Sequence, residues 1–222
     1  MTQINFTVNT KPYDDFKLYQ RKNFSVVPGI NSLVGCNGSG KSTLIDLYII
    51  PQLRKQHIEY YKYNDRREGG SYLMDAMLNV YGDMDGLAQM FMSSEGERIV
   101  CGLVRVIQAL PRFFKENKDK PAFLILDAID SGMSVDEISE IKDVFLDTII
   151  PDAKERYGVD LYIIIAANNY EWCNDSRIHN INVQNGKVLT INSYDEYKAI
   201  IYNSRKVKDK LREPSHHFVE SE

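Results

Sequence analysis

Between the apolar run Ser32–Val34 and the apolar run opening at Leu44, the chain reads Gly35-Cys36-Asn37-Gly38-Ser39-Gly40-Lys41-Ser42-Thr43. No other stretch limits the fold so tightly. Glycines let successive backbone N–H groups turn inward around an anion, where a side chain would collide with it. A helix beginning at Lys41 adds the partial positive charge of its amino terminus. The pattern G-x-x-x-x-G-K-[ST], set between a strand and a helix, is the sequence form of a phosphate-binding loop.

The rest of the chain supplies matching elements. Ile4–Val8 alternates as a strand, and Phe24–Val27 and Ser32–Val34 flank a Pro28-Gly29 turn. Phe123–Leu126 and Leu161–Ala167 are short apolar runs of the kind buried in parallel sheets. Val135–Ile150 is an amphipathic helix, and Asn185-Gly186 between Ile181–Val183 and Val188–Ile191 signals a hairpin. Ile99, Leu103, Ile107 and Leu110 mark one face of a longer helix. Ser42–Ile50 is expected to be a buried helix interrupted by Pro51, and Gln52–Arg67 an exposed helix broken at Gly69-Gly70. Short helical pieces are expected at Tyr72–Tyr81 and Leu87–Met92. Ser193 caps a final helix running to Arg212. The expected architecture is one α/β domain over 1–212: a mostly parallel sheet, antiparallel amino-terminal strands and a reduced helical lobe at about 52–117. Residues 213–222 are expected to be a disordered tail.

Composition narrows the function classes. The 222 residues carry 27 Lys and Arg against 31 Asp and Glu, a net charge of −4, which argues against a protein that coats nucleic acid. No stretch approaches the roughly 18 apolar residues of a membrane span, and Met1–Asn9 lacks a secretory signal pattern. Cys36, Cys101 and Cys173 are odd in number and widely spaced, as reduced thiols in a cytoplasmic setting would be.

The loop implies a nucleoside triphosphate, ATP with Mg²⁺. Lys41 pairs with the β- and γ-phosphates and Ser42 places its hydroxyl on the metal. A second metal contact needs an acidic residue at the end of a buried strand, and Asp127 closes Phe123–Leu126.

Three segments in order then resemble one family. G-C-N-G-S-G-K-S-T is similar to the Walker A of ATP-binding-cassette (ABC) ATPases. Ser94-Glu95-Gly96-Glu97-Arg98-Ile99 is similar to the S-G-G-E-R signature of the chromosome-maintenance and double-strand-break-repair branch. Leu126–Ser134 resembles Walker B running into a D-loop. The likeness spans about residues 1–190. It implies that two copies meet head to tail around two ATP molecules, with Ser94 and the Gly96 backbone reaching the γ-phosphate held by the opposite copy. Only 53 positions separate Lys41 from Ser94, short for a transporter cassette, while 33 separate Ser94 from Asp127, nearer the chromosome and repair branch. No coiled-coil arm is present, so the chain resembles an armless head of the kind expected among phage-encoded ATPases. A partner that is DNA or DNA-linked, and no membrane, follows from the resemblance.

Three positions depart from that family. Ala128 replaces the glutamate that polarises water, Glu95 replaces the first signature glycine, and Asn168-Asn169 stand where a switch histidine is expected. Asp130 or a partner's Glu97 is a candidate substitute base, and Asn168 can hold water or phosphate without taking a proton. Slow hydrolysis follows, with Lys41, Asp130 and Asn168 as the catalytic candidates. The competing class is a regulatory module switched by ATP; a transporter subunit ranks third. Tyr13, Phe16 and Tyr19 are candidates for stacking on adenine. Arg54, Lys55, Lys62, Arg66 and Arg67 among Tyr60, Tyr61 and Tyr63 fit a solvated helix or a nucleic-acid face. Arg205, Lys206, Lys208, Lys210 and Arg212 read as a solvated basic surface, and Arg98, Arg105 and Arg112 as solvent-facing or at an interface. Cys36, inside the loop, is expected to make binding sensitive to thiol reagents.

Overall fold

A computed structural model describes residues 2–13, 17–64, 95–130 and 132–212. A two-stranded antiparallel ribbon, β1 (Ile4–Thr7) with β2 (Asn23–Val26), precedes a six-stranded sheet. That sheet comprises β3 (Gly29–Val34), β4 (Tyr60–Asn64), β5 (Pro121–Asp127), β6 (Asp160–Ala166), β7 (His179–Asn182) and β8 (Val188–Leu189). Its spatial order is β4-β5-β6-β3-β7-β8, parallel throughout except for β8. The expected α/β class, mostly parallel sheet and antiparallel amino-terminal strands are all present.

Strand periodicity sets the core. Leu124, Leu126, Ile163 and Ile165 point to one face of the sheet, and Phe123, Ile125, Tyr162 and Ile164 to the other. The first face is covered by three helices, α3 (Glu95–Glu116), α4 (Val135–Val144) and α5 (Ile150–Tyr157). The second is covered by the ribbon and by α1 (Lys41–Leu44) and α2 (Ile50–Lys55). With both faces covered, the inner strands are apolar at nearly every position, which is why those runs were visible in the sequence. Each such side chain contributes about 1.5–3 kcal/mol when buried. Phe123 and Tyr162 also stack across neighbouring strands at 4.7 Å. The last helix, α6 (Tyr194–Arg212), begins at the Ser193 hydroxyl, which accepts from Glu196 N–H at 3.2 Å.

Pro51 does not end the helix that follows the glycine-rich loop. A wider turn over Ile45–Ile49, closed by Ile50 N–H on the Ile45 carbonyl, joins α1 to α2. The same device joins α4 to α5 over Phe145–Ile149, ahead of Pro151. Proline lacks an N–H and crowds the carbonyl four residues back, and an i→i+5 turn accommodates both defects. The expected exposed helix over Gln52–Arg67 is also corrected. Helix α2 stops at Lys55, and Tyr60–Asn64 is the edge strand β4, paired with β5 from Tyr60↔Phe123 to Asn64↔Asp127. Aromatic β-propensity in Tyr60-Tyr61-Lys62-Tyr63 outweighs the polar composition. The helical pieces expected at Tyr72–Tyr81 and Leu87–Met92, and the 213–222 tail, lie outside the described residues.

Candidate functional site

The loop leaves β3 at Val34 and turns into α1 at Lys41, at the end of the sheet where β5 finishes at Asp127 and β6 at Ala166. This is the carboxyl edge of parallel strands, where α/β sheets bind ligands. Gly40 has φ +100°, which a side chain resists, and a Cβ there would stand 2.7 Å from Leu18 Cδ2. Its carbonyl accepts the Tyr19 hydroxyl at 2.8 Å. That bond fixes the loop, and it removes Tyr19 from the adenine-stacking candidates: the ring is fully buried against Phe24 and Tyr48. Tyr13 is about half exposed, and Phe16 lies outside the described residues.

The Lys41 ammonium is 2.8 Å from the Gly35 carbonyl and 2.7 Å from Asn168 Oδ1, to both of which it donates. Burial pulls its pKa below that of a free lysine, against the opposing pull of Cys36, Asp130 and Asp127. Asn168 follows the β6 edge, and its backbone N–H donates to Asp130 Oδ2 at 2.5 Å. The three catalytic candidates Lys41, Asn168 and Asp130 thus form one chain of hydrogen bonds. Ser42 donates from its hydroxyl to Asp127 Oδ1 at 2.9 Å, so the two expected metal contacts also meet.

Ala128 follows directly, with φ +58° and its N–H on the Ala166 carbonyl at 3.0 Å. No carboxylate exists at that position. Among the other loop residues, Asn37 offers its carbonyl to Lys208 at 3.3 Å, Gly38 has φ +72°, and Thr43 lies in α1. The Ser39 hydroxyl is buried and meets no partner among the described residues. Gly96 stands in the first turn of α3, whereas Ser94 lies outside the described residues.

Several neighbours were not anticipated. Lys62 reaches in from β4, with Nζ 2.5 Å from Asp46 Oδ1 and 3.9 Å from Asp127 Oδ2. Alternation along Tyr60–Asn64 was the missed signal for its inward position. Arg54, by contrast, lies over Tyr60 at 5.7 Å and donates to its hydroxyl. The two cations therefore do not share one exposed basic face. Tyr197 donates to the Asn168 carbonyl at 2.7 Å, and the Ser204 hydroxyl accepts from Cys36 N–H at 3.1 Å. Both come from α6, and nothing local in the sequence announces contacts across 29 and 168 positions. Cys36 is itself buried, which weighs against the expected sensitivity of binding to thiol reagents. Arg105 and Arg112 are exposed, the latter paired with Glu116.

Among the described residues no cluster of three His, Cys, Asp or Glu side chains is placed to hold a metal by itself. The Ser42–Asp127 pair nevertheless offers the hydroxyl and carboxylate oxygens that Mg²⁺ takes alongside phosphate oxygens and water. Together with the buried Ser39 hydroxyl, which has no partner among the described residues, and the buried Lys41 ammonium, these residues fit a magnesium-bound triphosphate. Among the described residues, no helix is long and apolar enough to cross a membrane.

No protein-family model matches the sequence, and no curated protein matches it. Among solved structures the chain is similar to the crystal structure of a nucleotide-free ATP-binding cassette from an ABC transporter. The TM-score is 0.49 at 14% identity, over 96% of this chain and 98% of that one.

Proposed function

We propose that the chain is a cytoplasmic ABC-type ATPase that binds ATP with magnesium and dimerises head to tail around two nucleotides. The observation that carries this reading is the meeting of Lys41, Asn168 and Asp130 beside the Ser42–Asp127 pair, at the mouth of a glycine-rich loop. Lys41 supplies a buried ammonium for the β- and γ-phosphates, and the backbone N–H groups from Gly38 to Thr43 line the phosphates. Ser42 and Asp127 would hold Mg²⁺, which neutralises charge developing on the phosphates. Asn168 takes one hydrogen bond from Lys41 and keeps its amide N–H₂ available to a water or a γ-phosphate oxygen.

Hydrolysis is slow in this reading because Ala128 carries no base, and the Asp130 carboxylate is engaged by the Asn168 backbone. The order of motifs supports the chromosome-maintenance and repair branch, with DNA or a DNA-linked protein as partner. Ala128 also favours a second reading, in which ATP only switches the chain between monomer and dimer.

Light scattering with and without ATP–Mg²⁺ tests the composite site. Wild type is expected to double in mass with nucleotide, and Ser94→Arg to remain a monomer. A wild type that stays monomeric at saturating ATP removes the dimer from the account. Duplex DNA that binds with a steep salt dependence and accelerates turnover supports the DNA reading, and indifference to DNA supports the switch.

A further inference from the structure

Helix α6 grips the nucleotide loop from outside the segments that define it. Tyr197, Ser204 and Lys208 are spaced seven and four apart, so they share one face of the helix. Tyr197 donates to the carbonyl of Asn168, whose side chain holds Lys41. Ser204, only 2% exposed, accepts the Cys36 N–H, and its own carbonyl accepts Gln184 Nε2 at 2.9 Å. Lys208 donates to the Asn37 carbonyl and lies 3.9 Å from Asp209. Two consecutive residues of the loop, Cys36 through its N–H and Asn37 through its carbonyl, are therefore bonded to α6 just where the glycines that turn around the phosphates begin. Sequence alone placed Lys208 on a solvated surface, yet its side chain is largely covered.

We infer that Ser204 and Lys208 are positioning residues, fixing Cys36-Asn37 so that the following N–H groups are already oriented when a triphosphate arrives. The inference rests on the nucleotide-binding reading above. A loop held in its binding geometry loses little freedom on binding, and an untethered one must be ordered by the ligand. By reciprocity, a nucleotide that orders the loop also steadies the helix bonded to it.

The test is titration of the full chain with ATP–Mg²⁺, paired with amide hydrogen exchange along α6. Ser204→Ala leaves a buried N–H without its acceptor, and affinity is expected to fall about tenfold. Lys208→Met is expected to weaken binding about threefold and Lys208→Arg to restore it, since either cation can donate to Asn37. Lys206→Ala, on the exposed side of α6, serves as the control that changes neither affinity nor exchange. ATP–Mg²⁺ should slow exchange between 197 and 208 in wild type, and this protection should be lost in Ser204→Ala. If Ser204→Ala melts early, the Lys208 pair decides the matter. Affinities within twofold of a nucleotide-binding wild type for both Ser204→Ala and Lys208→Met overturn the inference. A wild type that binds no nucleotide overturns the parent reading as well, which separates the two failures.

Discussion

Replacing Ala128 with glutamate asks whether one missing carboxylate limits hydrolysis, as the slow turnover proposed above requires. Ala128 already sits at φ +58°, where an L-residue is strained by about 1–2 kcal/mol relative to the right-handed region. Glutamate inherits that strain without adding to it, because the left-handed penalty arises at Cβ, which alanine also has. The backbone N–H stays on the Ala166 carbonyl, and the partly exposed position leaves room for a longer side chain. Stability should therefore change by less than about 1 kcal/mol. A positioned general base contributes typically 10²- to 10⁴-fold, or about 2.7–5.5 kcal/mol off the barrier. Phosphate release at saturating ATP–Mg²⁺ is the assay, with nucleotide affinity measured alongside. Ala128→Gly is the companion variant: it removes the strain, supplies no carboxylate, and should leave turnover unchanged. Turnover of Ala128→Glu within threefold of wild type, at unaltered affinity, would refute the claim that the residue after Asp127 limits hydrolysis.

Three further outcomes are expected. Gly35→Ala brings a Cβ to 2.6 Å from both Ser39 Oγ and the buried Val183 Cγ1, so its urea midpoint should fall by the equivalent of about 1–3 kcal/mol. In the native protein a thiol reagent at pH 8 should modify Cys101 quickly and the buried Cys36 and Cys173 slowly, all three reacting in denaturant. Cys173 is doubly protected, since burial pushes its pKa up to about 11 and leaves about one thiolate in a thousand at that pH. Burial also raises the pKa values of Tyr19, Tyr48, Tyr162 and Tyr197 above the ordinary 10.0. Unfolding therefore releases protons above pH 10, and the stability these neutral phenols retain below that pH is lost as pH climbs toward their folded values. Lys41, lowered by burial, works in the opposite sense over its own range, but four phenols outnumber one ammonium, and thermal midpoints should drop steeply above pH 10.

What the sequence made legible follows from how local each signal is. The loop is readable because its chemistry demands glycines and Lys41-Ser42 in consecutive positions. Strands β5 and β6 are readable because burial on both faces leaves an unbroken apolar run. Asp127 and Asn168 were found because each sits at the end of such a run. Strand β4 was missed because an edge strand carries Lys62 and tyrosines, whose composition also suits a helix surface. The continuation of the loop helix past Pro51 was missed because a wide turn leaves no composition of its own. Tyr197, Ser204 and Lys208 were out of reach for a different reason. Their partners lie 29 to 171 positions away, and only the packing of α6 against Val34 of β3, Tyr170 and Cys173 brings them together.

The central claim is that Gly35–Thr43 with Asp127 forms a magnesium-dependent triphosphate site, and calorimetric titration with ATP tests it most directly. Wild type is expected to bind one ATP per chain with Mg²⁺ and much more weakly with the metal chelated. Lys41→Ala should abolish the heat while the protein remains folded. No saturable binding to wild type in the presence of Mg²⁺, or undiminished binding to Lys41→Ala, would contradict the account.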